Sequence, residues 1–173
     1  MTALYILTKY LTFPGALIRG MWEQAVCRIC KVPVEDNRYL RKDEMISHVE
    51  HEFMPTARGA FAICFVPAFM NFIGAFFLCL IPIMFTLYAR FDDTVLTLIN
   101  SVAYWFAFSL MVNSYPLIED AYNMMEKVYK QGNILQKILY APAAAFLFIG
   151  AFVEKYCISF ILGIALTVAI VLI

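Results

Sequence analysis

The run from Gly59 to Ala89, GAFAICFVPAFMNFIGAFFLCLIPIMFTLYA, contains no charged residue, and Asn71 stands out in it as a lone strongly polar side chain. At about 1.5 Å per residue, a helix of this length exceeds the roughly 30 Å hydrocarbon core of a bilayer, so it must tilt, protrude or bend at Pro67 or Pro82. A chain carrying such a segment is expected to fold in a membrane. Composition points the same way, because 63% hydrophobic and 15% charged residues leave too little polar surface to cover a soluble globule of 173 residues. The formal net charge is zero and no long basic run occurs, so nothing favours nucleic acid as a partner.

The chain reads as one integral membrane domain over 1–173, all-α, with about four to six membrane helices, a short polar β-hairpin-like insertion and an amphipathic surface helix. The start, MTALYILTKYLTF, lacks a basic leader and a small-residue cleavage site and carries Lys9 within its apolar run, so it reads as retained structure. Residues 33–55 form the most polar stretch. Two alternating segments there, VPVEDNRYL and ISHVEHEF, flank the charged residues Arg41 to Glu44, as two short strands of a hairpin would, although a loop with one helical turn fits nearly as well. After the span 59–89, a second is expected over 94–112. Residues 116–131 place Leu117, Ala121, Met124, Met125 and Val128 on one side of a helix that stops before Gly132. The stretch 134–173 reads as two membrane helices joined near Glu154 and Lys155, in preference to one long bent helix with an interfacial half. Lysines and arginines concentrate in 33–58 and 113–137, which puts both loops on the cytoplasmic side.

One helix breaks the apolar pattern. Between Pro14 and Pro33, over 14–31, Arg19, Glu23, Cys27 and Cys30 recur at spacings of four, four and three and so share a face. Two readings are open: the helix lies at the membrane surface with this face in water, or the face points into a bundle, where ionisable groups in membrane proteins usually point. Cys27 and Cys30 form a C-x-x-C, but with no second pair the structural reading is favoured. Cys64, Cys79 and Cys157 sit in apolar runs as small hydrophobes.

Taken in order, several local patterns resemble the intramembrane zinc metalloproteases related to site-2 protease. The segment FPGALIRGMWE at 13–23, followed by CRICKVPV, is similar to the Pro-Gly entry, motif helix and strand of that family. SHVEHE at 47–52 resembles its following strand, VPAFMN at 66–71 its next membrane helix with Asn71, and NSYPLIEDA at 113–121 the Asn-Pro-Asp element. The resemblance implies that Asp120 corresponds to the third zinc ligand and that Asn71, Asn113 and His51 flank the site. The departure is decisive for chemistry. Arg19 stands where the first zinc histidine belongs, Gly20 where the catalytic glutamate belongs and Glu23 where the second histidine belongs. A guanidinium neither ligates zinc nor takes a proton from water.

The expectation is therefore a catalytically inactive scaffold, with no catalytic residue and no required cofactor, that binds another membrane protein or a transmembrane helix within the bilayer. Its groove would be lined by the motif helix, the polar hairpin and the Asn113 to Ala121 turn. Arg19 is expected to pair with Glu23, Asp120 or both, or else to reach the interface with Glu23 as a local partner. Two further classes stay open: a metalloprotease with zinc held by substituted ligands from His48, His51, Glu23 and Asp120, and a structural or transport subunit of a larger membrane complex.

Overall fold

A computed structural model describes residues 3–36, 49–88, 93–161 and 164. In chain order the elements are α1 (Ala3–Leu11), α2 (Phe13–Cys30), β1 (Val34–Asp36), β2 (Glu50–His51), α3 (Ala57–Tyr88), α4 (Asp93–Val112), α5 (Ile118–Glu126), a wider π turn at Lys127–Gln131, and α6 (Ile134–Lys155). Three of these are long and apolar enough to cross a membrane: Ala57–Pro82, Thr94–Val112 and Ile134–Lys155.

α1 and α2 are nearly continuous, broken at Thr12 two residues ahead of Pro14. Proline supplies no amide proton, so carbonyls just before it lose helical donors. At this break α4 supplies further donors: Trp105 Nε1 donates to Leu11 O at 3.2 Å, and Ser109 Oγ donates at 2.7 Å to Thr12 O, which also accepts from the Ala16 amide. At the far end of α2, Lys31 adopts a left-handed conformation (φ 56°), and the amides of Lys31 and Val32 donate back to Arg28 O and Cys27 O before Pro33. That is a helix stop of the Schellman type, here on lysine instead of glycine.

β1 and β2 pair antiparallel, with Val34 opposite His51 and Asp36 opposite Glu50 and an irregularity between. Both strands fall inside the two alternating segments, whereas Arg41, Lys42, Asp43, Glu44 and His48 lie outside the described residues.

α3 is the spine. α2 and α4 pack on it together, and α5, the π turn and α6 pack on it elsewhere. Small residues let the backbones approach: a Cβ on Gly15 would run into the Ser109 carbonyl of α4, so only glycine fits this crossing. The continuous apolar core joins Val26 and Cys27 of α2, Ala60, Ile63, Cys64 and Ala68 of α3, Met124 and Val128 after α4, and Ala144 and Leu147 of α6, with Met54 beneath. The amphipathic stretch thus seats its Ala121, Met124 and Val128 side in the bundle. α6 ends at Lys155, and after a turn in which Cys157 has φ 57° helical structure resumes at Ile158. The expected junction near Glu154 is there; the extent of the second helix lies outside the described residues.

Candidate functional site

The charged face of α2 points inward. Arg19 and Glu23 are 5% and 3% exposed, so the surface-helix reading of this face is corrected. Leaving ions in such surroundings requires partners, because an isolated buried charge is far more costly than a paired one. Arg19 Nε donates to Glu23 Oε1 at 2.7 Å, the local i,i+4 pair. Its Nη1 reaches Glu154 Oε1 of α6 at 3.5 Å, and Lys9 of α1 grips the same oxygen. Arg19 therefore turns to Glu154, while Asp120 is engaged elsewhere: its Oδ1 lies 3.5 Å from His51 Nε2.

Lys9 and Glu154 were not among the residues singled out from the sequence. The signal was present in each, since an ionisable residue stranded beside an apolar run has to find an opposite charge in a membrane bundle. Glu154 was obscured by Lys155 next to it, which made the pair read as a solvated turn; Glu154 is buried and Lys155 exposed.

Beneath the ions lies an amide platform. Asn113 Nδ2 is within 3.0 Å of Thr12 O, Thr12 Oγ1 and Ser109 O, and its Oδ1 accepts from Lys9 Nζ at 2.7 Å. Asn71 Nδ2 donates to Asn113 O at 3.1 Å and Gly15 O at 3.3 Å. Asn71 of α3 thus ties the start of α2 to the end of α4. Ser109 Oγ also accepts from the Gly15 amide at 2.7 Å, satisfying an otherwise orphaned donor of the first turn of α2.

His51 carries the next step of the argument. Its Nδ1 lies 2.8 Å from the Glu52 carbonyl and its Nε2 faces a carboxylate, so both ring nitrogens meet acceptors. Only the imidazolium donates from both. Burial works against that charge, but the hydrogen bond to Asp120 and its negative charge outweigh burial and push His51 up to about 9 from an ordinary 6.5. Three basic side chains, Lys9, Arg19 and His51, thus meet three buried carboxylates, Glu23, Asp120 and Glu154.

The His51–Asp120 pair forms part of the wall of a half-open cleft of about 190 Å³, lined also by Glu35, Val49, Glu50, Phe53, Leu117 and Glu119. The β1–β2 sheet with Phe53 just after it, and Leu117 with the first turn of α5, supply this lining, as expected of the groove. The motif helix does not line it: Arg19 and Glu23 sit in the bundle instead. No match emerges when the chain is compared with protein-family models, curated proteins or solved structures.

Among the described residues, no three His, Cys, Asp or Glu side chains gather in a way that would hold an ion. The donor chemistry around α2 also fits zinc poorly. Glu23 is held by a guanidinium, and both ring nitrogens of His51 are already engaged, by Asp120 and by the Glu52 carbonyl. Cys27 and Cys30 are free thiols, as are Cys64, Cys79 and Cys157.

Proposed function

We propose that this chain is an integral membrane protein with a site-2-protease-like scaffold, catalytically inactive, that holds a transmembrane helix or the segment flanking one at the cleft between the β1–β2 sheet and α5. In this reading residues 33–58 and 113–137 lie on the cytoplasmic side. The observation that carries it is Arg19: at the place of the first zinc histidine in the resemblance, a buried guanidinium is paired with Glu23, at the place of the second, and with Glu154. The charges that would otherwise surround an ion satisfy one another, and none is left as a base beside a polarised water. What persists is a cleft next to a rigid polar centre, suited to binding.

The test is photocrosslinking in native membranes, with benzoylphenylalanine at Phe53, which lines the cleft and is 63% exposed, and in a separate variant at Ile138, 70% exposed on α6. The reading predicts a discrete adduct with a membrane protein from position 53 and only diffuse lipid labelling from 138. Equal labelling from both positions, or cleavage of a co-expressed single-span protein, would overturn it.

A further inference from the structure

Where α2 meets α6, the Arg19–Glu154 contact uses one nitrogen and one oxygen only. Nη1 and Oε1 lie 3.5 Å apart, while Arg19 Nη2 and Glu154 Oε2 are both buried and have no hydrogen-bond partner among the described residues. Both side chains are about 95% buried, so bulk water does not satisfy these atoms. One is a donor and the other an acceptor, attached to groups already in contact. Nη2 and Oε2 are each about 2.3 Å from the atoms in that contact by ordinary bond geometry and make no hydrogen bond to each other, so a small molecule that bonds to both would satisfy the two at once.

We infer that Arg19 Nη2 and Glu154 Oε2 form a buried binding site for water at the α2–α6 junction. The molecule must both donate and accept, be neutral, since the surrounding charges already balance, and be about one hydrogen bond across on each side. Water meets all three conditions, and buried waters characteristically sit on such otherwise unsatisfied polar atoms. A larger polar ligand would meet Lys9 and Asn113, which are already bonded to Glu154 and to each other. The junction is then a hydrated joint inside an apolar bundle, distinct from the cleft at His51 and Asp120.

The test uses the unaltered chain, reconstituted in bilayers with ¹⁵N-labelled arginine and uniform ¹³C labelling, and measures magnetisation transfer from water by solid-state NMR. Arg19 side-chain nitrogens are expected to build up signal at least fivefold faster than the Ala144 methyl group, a fully buried core reference. Build-up at Arg19 no faster than at Ala144 would overturn the inference. A density map resolving ordered solvent gives an independent reading: a peak bridging Nη2 and Oε2 supports the site, and direct Nη2–Oε2 contact at about 3 Å removes it.

Discussion

Replacing Arg19 by methionine keeps a flexible apolar stem of similar reach and removes the guanidinium. Glu23 then loses the donor 2.7 Å from its Oε1, and Glu154 keeps Lys9 alone of its two cations. Removing one partner of a buried ion pair costs about 3–5 kcal/mol, mostly the penalty of the charge left behind. For a chain of this size about 1 kcal/mol corresponds to 2–4 °C, so the unfolding midpoint in mild detergent should fall by roughly 10 °C. The identity of the second partner can be read from double variants. Adding Glu23→Gln removes the stranded charge and should recover about half of the loss. Adding Asp120→Asn should recover little, because Asp120 is bonded to His51. A midpoint within 2 °C of the unaltered chain for Arg19→Met, or equal rescue by both second changes, would refute the assignment of partners.

The His51–Asp120 pair makes stability depend on pH in a defined direction. The folded imidazole titrates near 9, above its ordinary 6.5, so its contribution is fully present below about 6.5 and is lost as pH rises through about 9. With solvent at the cleft mouth this amounts to about 2 kcal/mol, seen as a midpoint that falls between pH 7 and 10; the fall should flatten in His51→Gln. Gly15→Ala places a methyl group against the backbone of Ser109, which has no rotamer to escape by, and should lower the midpoint by about 5 °C. Gly150→Ala meets the side-chain ring of Tyr115, and should cost less because that ring can turn. Lys9→Met should destabilise comparably to Arg19→Met, since Glu154 and Asn113 both lose a donor; a neutral effect would show that α1 is not held by charge.

Much of the architecture is legible in the chain because long apolar helices announce themselves locally. The apolar runs place α3, α4 and α6, Pro33 ends α2, and Gly132 ends the stretch after α5. Alternation suggests the β1–β2 pairing but equally allows a loop there, and it does not give the register. Asn71 and Asn113 stand out as polar residues in apolar surroundings, and the Asn71 side chain proves to donate to the Asn113 backbone carbonyl across 42 residues. What is illegible is long-range pairing among the charges. Lys9 and Glu154 are separated by 145 residues, and nothing local tells either which partner it will meet. Asp120 shows the limit most clearly: its carboxylate was placed near Arg19 by motif order, but the two-residue strand β2 delivers His51 to it first. The π turn at Lys127–Gln131 likewise has no signature in an otherwise regular helical pattern.

The central claim is that Lys9, Arg19 and a protonated His51 occupy the carboxylates of Glu23, Asp120 and Glu154. Metal analysis by mass spectrometry tests it most directly, on protein purified with zinc present and then washed free of excess. The account predicts less than about 0.1 zinc per chain, unchanged by His51→Ala. One zinc per chain, lost in His51→Ala, would contradict it.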